Sequence, residues 1–101
     1  MTFALLQVDF PFSGPWGQGL EGISHDLAAD IASEPGLRWK IWTECQDQRV
    51  AGGLYLFESH AFAEKYLLKH SKRLADFGVQ DLRAIIFDVN DALTAMTRGP
   101  I

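Results

Sequence analysis

Residues Glu34 to Phe57 read EPGLRWKIWTECQDQRVAGGLYLF, and this stretch decides the fold. Pro35-Gly36 closes the helix before it, because the residue preceding a proline is pushed out of the helical region. A strand over 37–44 follows, carrying Trp39 and Trp42. Cys45–Arg49 is polar and short enough for a hairpin connection. The next strand, over 50–58, is apolar on both parities: Leu54 and Leu56 point to one face, Tyr55 and Phe57 to the other. An antiparallel sheet with one wet face alternates apolar and polar. Both faces of this sheet therefore want cover, and a chain of 101 residues has helices enough for one of them.

On the N-terminal side, FALLQVDF at 3–10 is a short β-favouring run that the prolines and glycine of 11–15 end. Leu20, Ile23, Leu27 and Ile31 then recur at spacings of three and four, the stripe of a helix over about 17–33. On the C-terminal side, Phe62, Tyr66, Leu67 and Leu74 mark a helix over about 59–76, with Phe77 just beyond and Gly78 as its stop. A fourth strand is expected over about 79–89, where Ala84 and Ile86 oppose Ile85 and Phe87. Leu93 and Met96 in the tail stand at helical spacing. The order βαββαβ predicts an α+β, ferredoxin-like domain over residues 1–101: a four-stranded antiparallel sheet with two helices on one face. The other face would leave an apolar patch that soluble monomers avoid. Covering it returns about 25 cal/mol per Å². The eleven residues of the 91–101 tail are too few for that. The expected solution is a homodimer, sheet against sheet, with a ligand chamber between the two sheets.

Composition narrows the function classes. The chain is 48% hydrophobic and 22% charged, an ordinary globular balance. A net charge of −4 argues against a nucleic-acid partner, which needs a concentrated basic face. The single Cys45 makes no internal disulfide and fits a reducing compartment. The N-terminus lacks the basic region and cleavage site of a secretory signal, and no run is long enough to span a membrane. A cytoplasmic protein with no membrane partner is expected.

Candidate chemistry lies on the central strands and the second helix. Trp39 and Trp42 are three apart in a strand, so they point to opposite faces; each is either core or part of an aromatic wall for a flat substrate. Lys40 and Glu44 share the parity of Trp42. Lys40 is a candidate partner for an anionic group, or half of a rim ion pair. Tyr55 is a phenol in an apolar strand and needs a hydrogen-bond partner. Gly52-Gly53 beside it implies a bulge or a close approach. Gln7 is a polar side chain in an apolar strand, to be satisfied if buried. His70 falls on the apolar stripe of the second helix. It is either a core histidine bonded to a carbonyl or a general base, the usual role near neutral pH. Arg73, close to it along the helix, is a candidate carboxylate holder. His25 and His60 lie off the stripes, and Lys65, Lys69 and Lys72 share a solvated face. Three scattered histidines and one cysteine give no zinc spacing, and no phosphate-loop, flavin or nicotinamide fingerprint is present, so no cofactor is expected.

The segments LLQVDF at 5–10, GPWG at 14–17, EPGLRWKIWTE at 34–44, AGGLYLF at 51–57, YLLKHSKRL at 66–74 and FDVN at 87–90 run through nearly the whole chain. In these the protein resembles the small YdhR family of mono-oxygenases, in the dimeric α+β barrel superfamily. The resemblance implies a homodimer and a pocket between sheet and helices. It also implies oxygenation of an aromatic or phenolic substrate without metal or flavin. On that basis His70 takes the part of base or proton relay, Trp39, Trp42 and Tyr55 pack the ring, and Gln7 and Lys40 anchor polar groups. A dimeric binding protein for a small hydrophobic ligand, without turnover, is the alternative. Haem binding is a weaker one, with Gln7 and His70 on comparable elements of haem-degrading relatives.

Overall fold

A computed structural model describes residues 2–101, in which the elements run β1 (Ala4–Pro11), α1 (Gln18–Ala32), β2 (Leu37–Cys45), β3 (Val50–Phe57), α2 (His60–Asp76), β4 (Arg83–Asp88) and α3 (Asp91–Met96). The strands form one sheet in the order β2-β3-β1-β4, with each neighbouring pair antiparallel. This is the ferredoxin-like α+β arrangement that the pattern predicts.

Register fixes which side chains share a face. Leu6 stands opposite Tyr55 and Ile86, and Tyr55 stands opposite Lys40. Directly paired residues of antiparallel strands project to the same side, so Leu6, Val8, Lys40, Trp42, Tyr55 and Ile86 belong to one face. That face meets the helices. Ala4, Leu6 and Val8 of β1, Tyr55 and Phe57 of β3, Ala63, Tyr66 and Leu74 of α2 and Ile31 of α1 make the core.

The two helices pack unequally. The buried stripe of α2 is Ala63, Tyr66, His70 and Leu74. Ser59 caps its start, accepting from the Phe62 N–H. Phe62, expected on the stripe, is turned outward and 39% exposed. Its ring lies over Gly36 instead: a Cβ there would come within 2.3 Å of the Phe62 Cγ. In α1 only Ile31 is fully buried, and Ile23 is 68% exposed. The last turns of α1 seal against the core while its first half stands off the sheet. The Gly17 N–H at its start donates to the Glu44 Oε1 at 2.8 Å, which pins that end to the rim of β2.

Two expectations shift. The fourth strand begins at Arg83 rather than 79. Gly78 takes a positive φ of 88°, and the Val79 N–H returns to the Leu74 carbonyl at 3.0 Å. Val79 is thereby used to close α2 and to pack on the core, not to extend the sheet. Gly52-Gly53 holds regular pairing; the irregularity in β2–β3 falls between Leu37 and Trp39. Close approach is the reason for the glycines. A Cβ on Gly52 would meet the Val8 carbonyl oxygen at 1.9 Å, and one on Gly53 would meet the Lys40 Cε at 2.7 Å.

The opposite face of the sheet carries Leu5, Gln7, Trp39, Ile41, Leu54, Leu56, Ile85 and Phe87 by the same register. The C-terminal tail reaches it at one end, where the Trp39 Nε1–H donates to the Pro100 carbonyl at 2.8 Å. Leu56, paired with Trp39, is only 1% exposed. Ile41 and Ile85 remain 50% and 54% exposed. Among the described residues no helix is long and apolar enough to cross a membrane.

Candidate functional site

The stand-off of α1 leaves a cavity of about 590 Å³ between the helices and the sheet. Phe10 and Phe12 at the end of β1, Leu20, Ile23 and Leu27 of α1, and Trp42 of β2 form most of its apolar wall. Its polar lining includes Lys40, Tyr55, His70, Arg73 and Asp30, together with Ser24, Asp26 and Thr43. The volume lies in the range that holds a drug-sized molecule, and an apolar wall with a few convergent polar groups is the usual form of a ligand site. The chamber is therefore on the helix face and is built by a single copy of the chain. It does not lie between two sheets, because the parity of β2 and β3 sends Lys40, Trp42 and Tyr55 toward the helices.

Asp30, Arg73, His70, Tyr55 and Tyr66 form one connected network. The Arg73 Nη1 donates to the Asp30 Oδ2 at 2.7 Å, which clamps α2 to α1 across the cavity. The same guanidinium reaches the His70 Nδ1, from Nε at 3.3 Å and from Nη2 at 3.0 Å. On the other side of the ring, His70 Nε2 and the Tyr55 hydroxyl are 3.3 Å apart. The Tyr66 hydroxyl donates to the Tyr55 hydroxyl at 3.3 Å. A guanidinium has donors and no acceptor. Its contact with Nδ1 therefore makes that nitrogen the lone-pair side and leaves the hydrogen on Nε2. His70 is a neutral imidazole that donates to Tyr55. Burial, reinforced by the charges of Lys40 and Arg73, pushes its pKa down to about 3. The only basic lone pair of His70 is capped by Arg73, so the ring has none left for a substrate proton. The base expected at His70 is thus a hydrogen-bond donor in this arrangement. Burial also holds Tyr55 up, at about 12, and raises Tyr66 further, so both phenols stay protonated.

Lys40 is the unusual charge. Its Nζ lies 3.4 Å from the centre of the Trp42 ring and 4.6 Å from that of Tyr55. None of the ion pairs among the described residues includes it. Burial, with Arg73 as a like charge nearby, lowers its pKa to about 7. The stem passes over Gly53, whose missing side chain makes the room.

Of the residues singled out in the sequence, Lys40, Trp42, Tyr55, His70 and Arg73 line this cavity. Trp39 and Gln7 do not. Trp39 pairs with Leu56 and Gln7 with Leu54, which puts both on the opposite face. Trp39 bonds the tail, and Gln7 donates to Asp9 at 3.4 Å. This also removes the haem arrangement, since Gln7 and His70 lie on opposite sides of the sheet. Glu44, on the cavity parity, holds the start of α1. The carboxylate paired with Arg73 is that of Asp30, in the same chain. Sequence reasoning missed Asp30 and treated Tyr66 as core alone. Spacing contained both: Asp30 follows Leu27 by three, on the stripe of α1, and Tyr66 precedes His70 by four.

Comparison with known proteins gives the frame for this geometry. No curated protein matches the chain. Among solved structures, the NE2512 protein of unknown function from Nitrosomonas europaea matches with a TM-score of 0.59 at 15% identity, covering 89% of this chain and 91% of its own. At that identity the likeness concerns the fold. The family described as "Putative mono-oxygenase ydhR" matches residues 5–100. With the match running over almost every residue that builds the sheet, the helices and the cavity between them, the chain belongs to this ydhR family.

Proposed function

We propose that the protein is a mono-oxygenase that takes a small polycyclic or phenolic aromatic into the cavity and oxygenates it without metal or flavin. The observation that carries this reading is the cavity of about 590 Å³, walled by Trp42 and phenylalanines, with Tyr55, Lys40 and Arg73 in its lining. In such chemistry the substrate loses a proton and its own carbanion reduces O₂. A CH₂ between activating groups becomes C=O, and the second oxygen atom leaves as water. The protein contributes orientation and a dry, shaped site. Trp42 stacks the ring, while Tyr55, oriented by His70 and Tyr66, donates to a substrate oxygen. Arg73 positions His70. A homodimer formed through Ile41, Ile85 and Phe87 completes the proposal; it covers the open face and leaves the cavity to each copy.

The test is oxygen uptake by purified protein treated with a chelator, over a panel of phenols, naphthols and anthrones. Substrate-dependent uptake with a one-oxygen gain in product mass is expected. No uptake across the panel overturns the reading. A dimeric carrier of hydrophobic molecules is the second reading, and the capped lone pair of His70 favours it. Native mass spectrometry separates the two: a carrier releases its aromatic unchanged in air, an oxygenase does not.

A further inference from the structure

We propose that the cavity recognises an aromatic ligand by an acidic oxygen, a phenol or enol, which receives a hydrogen bond from Tyr55 and gives its proton to the Lys40 Nζ. The substrate class and the base are thereby named for the reaction proposed above, and the inference rests on that reading for its place in turnover but not for binding.

The hydrogen count points the network at the ligand. Arg73 is an obligate donor to the His70 Nδ1, so the imidazole hydrogen sits on Nε2 and goes to the Tyr55 oxygen. Tyr66 donates to the same oxygen. Tyr55 has then accepted twice, and no further acceptor for its own hydrogen occurs among the described residues. Tyr55 lines the cavity, so that hydrogen is left for a ligand. Two incoming donors also make the hydroxyl a better donor itself.

Lys40 supplies the other half. Its Nζ hangs over the Trp42 and Tyr55 rings without a carboxylate partner. The charged and titratable groups around it are Arg73 and His70 from α2, Tyr55 from β3, and Asp26 and Asp30 from α1. Asp30 is committed to Arg73, and His70 is neutral. The amine gives up its proton readily, at about pH 7, because of burial. An ionised ligand would have to shed water before entering an apolar chamber; a neutral phenol does not. Once inside, its O–H bond breaks and an N–H bond forms on Lys40. The phenolate is then the counter-ion that the ammonium otherwise lacks, an opposite charge that raises the Lys40 pKa from its value without a ligand, while the Tyr55 hydrogen bond stabilises the phenolate. No oxidant or reductant is needed. The phenolate left between Tyr55 and Lys40 is the electron-rich species that reaction with O₂ requires.

The experiment compares 2-naphthol with 2-methoxynaphthalene, the same ring system without the acidic hydrogen, at pH 7 in the absence of turnover. Binding is read by titration calorimetry and by the red-shifted naphtholate absorption. The wild type is expected to bind the naphthol at least tenfold more tightly than the ether and to show the naphtholate band. Lys40→Met should bring the naphthol down to the affinity of the ether and abolish the band, leaving the ether within twofold of wild type. Tyr55→Phe should weaken the naphthol severalfold and the ether little. Equal affinities, or bound naphthol with its neutral spectrum in the wild-type protein, overturn this inference while leaving an aromatic cavity in place. Failure of both probes to bind removes the aromatic cavity and the inference with it. The wild-type spectrum decides the question even if a variant does not fold.

Discussion

Replacing Lys40 by methionine should stabilise the protein at low pH and do progressively less as pH rises. The ordinary lysine value is 10.5, and burial in this site brings it to about 7. At about 1.4 kcal/mol per pH unit, that difference sets an upper bound of about 5 kcal/mol on the destabilisation from burying the ammonium. Two ring faces beneath the nitrogen offset about 1–2 kcal/mol of it. Water at the cavity mouth screens part of the rest. The expected net gain on removing the charge is about 2 kcal/mol, since methionine keeps the apolar stem.

The sign follows from proton counting. Between about pH 7 and 10.5 the unfolded chain holds the Lys40 proton and the folded chain does not, so wild-type stability rises with pH through this window. Below about pH 7 both states are protonated and the whole penalty is present. Urea denaturation of both proteins at pH 6, 8 and 10 measures the effect. Lys40→Met should be the more stable by about 2 kcal/mol at pH 6, with the gap closing toward pH 10. His70 also makes stability rise with pH, between about 3 and 6.5, but it does so in both proteins. A gap that does not change with pH, or a wild type more stable than the variant at pH 6, would refute the reasoning.

Other outcomes follow from the same geometry. Arg73→Met removes both the cap on the His70 Nδ1 and a neighbouring positive charge, so the imidazole should titrate at higher pH than in wild type; NMR of the ring carbons reads this, and an unmoved titration counts against the tautomer assignment. Gly36→Ala puts a side chain at φ +80° and 2.3 Å from the Phe62 Cγ, and should lose about 2–4 kcal/mol by urea denaturation. Adding Phe62→Ala should relieve the overlap but not the backbone strain, so a double variant showing no recovery contradicts the contact. Ile85→Glu, on the open face, should convert a sedimenting dimer to an 11.3 kDa species without loss of helical signal; wild-type protein that already sediments at that mass refutes the dimer.

The fold was legible because it depends on patterns with fixed periods. The short β-favouring apolar runs of β1 and β3, the three-and-four spacing in α1 and α2, and the breaks at Pro35-Gly36 and Gly78 all act locally. What escaped was tertiary. Val79 reads as a strand residue by its β-branched side chain, yet the helix end recruits it through the Leu74 carbonyl. Phe62 reads as core by hydrophobicity, yet Gly36 offers it a closer seat beside the strand. In the site, parity alone separated Trp39 from Trp42, but it could not say which face the helices take. That choice depends on how the crossovers pack. The state of His70 was beyond reach for the same reason. The residue that caps its lone pair, Arg73, is held in place by Asp30 of another helix, a contact between positions 43 apart.

The placement of the cavity separates two properties that the chain's double-sided strands had seemed to join. Lys40, Trp42 and Tyr55 face the helices, while Ile41, Leu54 and Ile85 face away. A one-residue change of register would exchange the two sets; the register is held where Gly52 lets β1 and β3 approach and where Gly53 admits the Lys40 stem. Every group in the network from Asp30 to Tyr66 comes from one chain, so the donor array does not wait for a partner. Dimerisation would then serve stability and solubility by covering Ile41, Ile85 and Phe87, and ligand recognition would be intact without it. The monomeric Ile85→Glu protein is therefore expected to bind 2-naphthol as the wild type does. Loss of binding on dissociation would mean that the second copy shapes the helix-side cavity through the sheet.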